Sequence, residues 1–365
     1  MRPGQTSRRS PSGLAIVEEG SLRIAPILSL PRLLADLGTD PGPLLVAQGI
    51  DAALFEDPEN TIPFADMGQL LNACVLQTGC PHFGLLIGEH VGIESLGVVG
   101  RLASVAPNLG GALRSLILYL HLHDRGAIPS LWVCADKAIL AYTVYQPDVT
   151  GVDQIYDGAL AITHNILRTL AGPGWKAAEI RFSRARPGDP EPYRRMFRTR
   201  LIFGAAYSAI VFPAACLERP LGGANPQTQQ RIMAEIAALE AHGAGDLVAQ
   251  LRRVLRRILI AGPGPGSTSL QQIASLFAVH RRTLNRRLKA RGTSFRELID
   301  ASRYDIARQL LRDTRMPIVE IATALEYADA AAFSRAFQRW SGSPPSAWRK
   351  AQACARLDTA SSAAA

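Results

Sequence analysis

Apolar residues recur at helical spacing along the first third of the chain, so residues 14–125 read as mainly helical. Residues 29–38 (SLPRLLADLG), 67–79 (MGQLLNACVLQTG) and 109–124 (LGGALRSLILYLHLHD) each predict a helix that stops near a glycine or a polar break. The period then shortens. Residues 130–134 (SLWVC) and 138–145 (AILAYTVY) are rich in aromatic and β-branched residues, and Ala135-Asp136-Lys137 separates them, which predicts a hairpin. Helical spacing returns over 152–172 and ends at Gly172-Pro173-Gly174. A strand over 178–183, a short helix over 190–197 and a second hairpin of 200–204 with 209–213 follow. This order predicts an α+β N-terminal domain with a largely antiparallel sheet. A β-barrel fits less well, because the helical segments are long and numerous.

Beyond Pro220 and Gly222-Gly223 the pattern is helical throughout. Residues 225–243 place Ile232, Met233, Ile236 and Leu239 on one face, which can pack on its own domain or join two subunits. A helix over 244–260 precedes the turn-rich stretch 262–266. Then a unit occurs twice, at 271–292 and 319–342. Each copy has Ile-Ala, a short turn, and a helix with large apolar residues four apart: Leu284 and Leu288, then Phe333 and Phe337. Arg286 and Arg335 sit midway between them. Each copy reads as a helix-turn-helix, so two recognition helices can face one duplex. The first unit starts with a helix from Ser269 through Phe277 and turns at Ala278-Val279-His280. Between the copies, Ser294 and Glu297 form a capping box opening a helix through about Arg312. At ~1.5 Å per residue that helix spans roughly 28 Å, close to the ~34 Å between successive major grooves on one face of DNA. The fold class expected for this half is all-α, two helix-turn-helix motifs joined by a long helix.

Composition sharpens this picture. With 47% hydrophobic and 19% charged residues, 365 residues can bury sizeable cores in two or three domains. No apolar run reaches the length of a membrane span, and the basic N-terminus lacks the apolar core of a signal peptide, so a cytoplasmic protein is expected. The five cysteines (Cys74, Cys80, Cys134, Cys216 and Cys354) are scattered, which predicts incidental free thiols. The formal charge is +9, but residues 246–350 alone carry 19 basic and 8 acidic side chains. That excess suits phosphate neutralisation and equally suits a solvated arginine-rich surface.

The C-terminal pattern resembles the AraC/XylS family of bacterial transcription regulators. The likeness spans about Asp246 to Lys350 and includes Ile273-Ala274, Arg281-Arg282-Thr283-Leu284, Arg286-Arg287-Leu288, Thr293-Ser294-Phe295, Leu310-Leu311, Ile321-Ala322 and Phe333-Ser334-Arg335-Ala336-Phe337. Arg339-Trp340, Gly342-Ser343-Pro344-Pro345 and Trp348-Arg349 close it. The resemblance implies base contacts from the exposed faces of the two recognition helices. In the first, Arg282 and Arg286 share a face with Asn285 beside it, which suits guanine and adenine edges. Arg281 and Arg287 suit phosphates. In the second, the matching positions are Asp329, Ala331 and Arg335, with Ala331 limited to a thymine methyl. The family usually has glycine in each turn followed by a small cap. Here the turns hold Ala278 and Glu326 and the cap positions His280 and Ala328, with Asp329 a partial replacement. A looser, less specific second unit is therefore expected.

The N-terminal part is similar to the arabinose-binding-like domain of one branch of that family, in 83–91, 95–123 and 193–221. This implies effector sensing or homodimer formation; the sugar in the name does not carry over. Candidate effector residues are Arg101, His121, Trp132, Tyr142 and Tyr145, although the aromatics also suit a sheet core. His121-x-His123-Asp124 looks like a metal cluster, but i and i+2 do not face each other on a helix, so no metal or other cofactor is expected. The chain then divides into a disordered basic tail (1–20), an effector-binding and dimerisation domain (21–222), a linker helix (223–245), a DNA-binding domain (246–350) and a disordered tail (351–365). The expected function is sequence-specific transcription regulation, with promoter DNA, RNA polymerase and a small-molecule effector as partners. Two other classes make different demands. A DNA-repair methyltransferase using the same module needs a clustered cysteine zinc site and a Cys–His pair, which the scattered cysteines do not supply. A nucleoid protein would bind all DNA alike.

Overall fold

The computed structural model describes residues 17–352 except 19, 145, 147–148, 243–250, 252–254, 256–258, 260–268 and 277–280. Both expected tails therefore lie largely outside the described residues, as do the first helix-turn-helix turn and most of the helix expected over 244–260. The chain forms two compact units, one of residues 1–129 with 133–243, the other of residues 244–365 together with Ser130–Trp132. Among the described residues no single helix is long and apolar enough to cross a membrane.

The first unit is α+β. A small antiparallel pair, β1 (Ser21–Arg23) and β2 (Thr61–Pro63), brackets α1 (Leu30–Asp36) and α2 (Pro41–Ala47). Next come α3 (Phe64–Thr78), α4 (Phe83–Glu89), α5 (Gly97–Ser104) and α6 (Leu109–Tyr119). The main sheet is built from β3 (Ala127–Cys134), β4 (Lys137–Val144), β5 (Glu179–Arg181), β6 (Arg200–Ile202) and β7 (Ala209–Pro213), in the order β3-β4-β7-β5-β6. α7 (Val152–Ala171) and α8 (Glu191–Phe197) interrupt it, and α9 (Pro226–His242) follows it.

The first expected hairpin forms, with Ala135 in the left-handed region at its turn (φ 54°). The second does not. β5 lies between β6 and β7, antiparallel to β7 and parallel to β6. Burial explains the order. Ala209–Phe212 are all buried, so β7 must be covered on both faces and takes the centre, with Leu140 opposite Ile210. β6 is exposed or half-buried along its length and takes the edge. The sheet is still largely antiparallel.

α4 and α7 cross at glycines. A Cβ on Gly84 would lie 2.0 Å from the Gln154 carbonyl oxygen, and one on Gly88 would lie 2.6 Å from that of Gly158. Polar side chains clasp the crossing. Gln154 Oε1 accepts from Gly84 N–H at 2.8 Å and its Nε2 donates to Pro81 O. Asn165 Nδ2 lies within hydrogen-bond distance of the last carbonyls of α4, at Gly88 and Glu89, and of Val91 O just beyond it. α9 packs on its own unit, one of the two options for its apolar face. Ile232 and Ile236 are buried against Leu102 of α5, and Arg101 pairs with Glu235 at 2.6 Å. Met233, expected on that face, is instead 42% exposed.

Apart from Ser130–Trp132 of β3, the second unit is all-helical in its described residues. Leu251, Leu255 and Leu259 are helical and buried. Helices Leu270–Leu276 and Arg281–Lys289 form the first pair, Phe295–Asp313 the connecting helix, and Ile318–Ala324 with Ala330–Ser341 the second pair. The capping box is complete: Ser294 Oγ accepts from Glu297 N–H and the Glu297 carboxylate from Ser294 N–H. Residues 345–352 add a last helical turn and more. Arg349 ties it down by donating to the carbonyls of Met316 (2.6 Å) and Leu311 (3.3 Å).

Candidate nucleic-acid interface

The helix Arg281–Lys289 has one apolar stripe. Leu284 and Leu288 are fully buried against Leu251, Leu255, Ile273, Phe295 and Leu298. Everything else that is large is basic or amide and exposed: Arg281, Arg282, Asn285, Arg286, Arg287 and Lys289. At about 100° per residue, Arg282, Arg286 and Lys289 point most directly away from the buried stripe, and Arg281 and Arg287 flank it. The structure thus brings the five expected residues onto one solvent-facing surface and adds Lys289, which the sequence reading left out.

The second pair repeats this geometry. Leu284 and Phe333, Leu288 and Phe337, are each 49 positions apart. The same offset carries Arg282, Arg286 and Lys289 onto Ala331, Arg335 and Gln338, all exposed. Gln338 is the second omission. Its place was available from the i, i+3 relation to Arg335, and a Gln amide can pair bidentately with adenine.

The second unit is capped. Asp329 is the N-cap, with extended backbone, and its carboxylate accepts from Ala332 N–H at 2.6 Å. The helix begins one residue later than the sequence suggested, so the cap falls on Asp329 rather than Ala328 and is not lost. Glu326 does take the left-handed conformation (φ 62°) that glycine would adopt more easily. Its carboxylate meets Arg303 at 3.5 Å, and the Arg303 guanidinium lies over the Tyr327 ring. These contacts replace what a glycine turn would supply. Behind the reading face, Phe333 and Phe337 are fully buried among the rings of Tyr304, Tyr327 and Trp348. The expected looseness therefore has no basis in capping or packing. Asp329→Ala should cost ~1 kcal/mol and speed hydrogen exchange in residues 330–341, with Asp329→Ser restoring protection. Equal exchange in wild type and Asp329→Ala would discount the cap.

The first unit contains a cavity of about 140 Å³. Its walls come mainly from α3, α4, α6, α7 and β4, and His123, Asp124 and Tyr142 lie along it. Of the five candidate effector residues it takes Tyr142 only. His121 and Trp132 do not line it, Arg101 is half-exposed in its pair with Glu235, and Tyr145 lies outside the described residues. Helix α6 tightens into a 3-10 turn at Leu120–Leu122, which changes the rotation per residue and puts His123, not His121, on the cavity. Asp124 is buried and accepts from Tyr142 Oη–H (2.6 Å), Gly126 N–H (2.9 Å) and Ala127 N–H (3.1 Å). Burial raises its carboxyl to about 6 against those hydrogen bonds. Burial, helped by nearby Arg23, lowers the His123 imidazole to about 3, so it is neutral at physiological pH. Among the described residues no His, Cys, Asp and Glu group is arranged to hold a metal ion. Cys74 is a buried packing residue whose thiol burial pushes up to about 12.

Comparison with known proteins agrees with this arrangement. Residues 38–221 match the arabinose-binding domain of AraC transcription regulators, N-terminal, and residues 273–351 match a helix-turn-helix domain family. The chain belongs to the AraC family of transcription regulators. It is 27% identical over 321 residues to the ornithine utilization regulator of Pseudomonas aeruginosa, covering 87% of this chain and 93% of that one. It is also 27% identical over 340 residues to the HTH-type transcriptional regulator VirS of Mycobacterium tuberculosis, covering 91% and 98%. The crystal structure of the transcriptional regulator CdpR from Pseudomonas aeruginosa is 25% identical, covers 87% of this chain and 98% of its own, and superposes with a TM-score of 0.43. As an AraC-family member the chain is a DNA-binding transcription regulator, with a ligand-type domain ahead of its helix-turn-helix region.

Proposed function

We propose that this regulator reads promoter DNA through two successive major-groove contacts and that the N-terminal unit makes this reading depend on a small-molecule effector. The observation that supports it most is the repeated outward face. Arg282, Arg286 and Lys289 recur at the same positions as Ala331, Arg335 and Gln338, on helices joined by one capped 19-residue helix. In this reading Arg286 and Arg335 contact bases, Asn285 and Gln338 suit adenine, and Arg281 and Arg287 hold phosphates. The protein acts in the cytoplasm, engages RNA polymerase when bound at a promoter, and does no chemistry on DNA. Homodimer formation through the first unit would pair two such readers on one operator.

The test is binding of the full chain to its own upstream region and to random DNA of equal length at ~150 mM salt. A specific site should be preferred by ~10³ or more. Equal affinity for both, with a steep salt slope, would make this a general DNA-coating protein instead.

A further inference from the structure

The cavity in the first unit has an apolar body and one polar end. Leu71, Ile87, Leu113, Leu116, Leu140 and Ile166 are among its walls. At about 140 Å³ it is close to the size at which an apolar protein cavity takes up benzene, roughly six to eight heavy atoms. At the polar end the Asp124 carboxylate is already served by Tyr142 and two backbone amides. The His123 side chain is different. The residue is 4% exposed, and its buried Nδ1 has no hydrogen-bond partner among the described residues. Buried polar atoms are nearly always paired, so an unpartnered ring nitrogen on a residue that lines the cavity points to a ligand atom.

Charge narrows the ligand further. Among the described residues Asp124 is the one carboxylate lining the cavity, and no Lys or Arg lines it. An anion would meet a like charge, and Arg23, the cation whose charge reaches His123, is already paired with Glu59. A cation would have to shed its water into aliphatic walls and compete for carboxylate oxygens that already hold three hydrogen bonds. A hydroxyl group avoids both costs. It donates or accepts, so it pairs with Nδ1 in either imidazole tautomer.

We propose that this cavity is the effector site, and that it takes an uncharged, ring-sized apolar molecule bearing one hydroxyl group held by His123 Nδ1. The proposal rests on the effector-dependent reading above and adds the ligand class to it.

Calorimetric titration of the full chain with phenol, benzene, benzoate and benzylamine tests it. Phenol is expected to bind about tenfold more tightly than benzene, the worth of roughly one neutral hydrogen bond. Benzoate and benzylamine are expected to show no saturable binding. In His123→Leu, phenol affinity should fall to that of benzene while benzene binding persists, which shows that the cavity is intact. His123→Gln keeps a donor and an acceptor and should retain part of the phenol preference. Preferential binding of benzoate or benzylamine, or an undiminished phenol preference in His123→Leu, overturns the proposal. So does failure of all four probes to bind. Operator binding by the same preparation separates the two readings. If it remains specific, the regulator stands and only this ligand assignment fails; if it is lost in wild type, the regulatory reading fails with it.

Discussion

Phe337→Ala should cost ~3–5 kcal/mol and melt the second helix-turn-helix without unfolding the first. Phe337 is fully buried, and its ring centroid lies 5.6 Å from Tyr304, 5.8 Å from Phe333 and 5.8 Å from Trp348. These partners come from the connecting helix, the recognition helix itself and the closing helical segment. One truncation therefore removes contacts to both pieces that hold the reading helix in place, the connecting helix and the closing segment. The first unit draws on a separate cluster, Leu251 through Leu298, that does not include Phe337. Hydrogen exchange should rise over residues 318–341 while residues 281–289 keep their protection, and footprinting on the operator should lose one half-site. Loss of protection throughout both pairs would show that the two helix-turn-helix units fold as one.

Arg286→Ala is the larger functional change. The side chain is central on the outward face, its own helix contributes no acidic residue, and the helix beneath is pinned by Leu284 and Leu288. Loss of a bidentate guanine contact should weaken the specific site by ~1–3 kcal/mol and relax sequence preference at one base pair. Arg287→Ala provides the contrast. It should weaken all sequences alike and lower the salt slope by about one. Binding to a set of single-base operator variants at two salt concentrations distinguishes the two outcomes. A uniform loss in Arg286→Ala would reassign it to a phosphate.

The parts of the molecule that were legible in sequence are those whose cause is local. The stripe of Leu284 and Leu288 and the Ser294–Glu297 box each depend on residues within one helical turn. The Asp329 cap was misplaced by one residue, because Ala328 and Asp329 are adjacent and only the Ala332 N–H decides between them. The order of the sheet was not legible, since β6 and β7 are neighbours in sequence while β5, twenty residues upstream of β6, separates them in space. The α4–α7 crossing at Gly84 and Gly88 was equally hidden, because close approach of two backbones leaves no periodic mark. The cavity followed from both. Its polar end depends on a tightened turn after α6 that puts His123, not the candidate His121, on the cavity.

The 49-residue offset has one more consequence. A palindrome reads the same from either end, and a protein with two identical readers would not know which way it faced. Here the outward sets differ, Arg-Arg-Lys in one helix and Ala-Arg-Gln in the other. A single copy of the chain turned end for end on its site would bring each set to the other's bases. On the proposed reading its operator therefore has a head and a tail, and swapping its two half-sites should weaken binding.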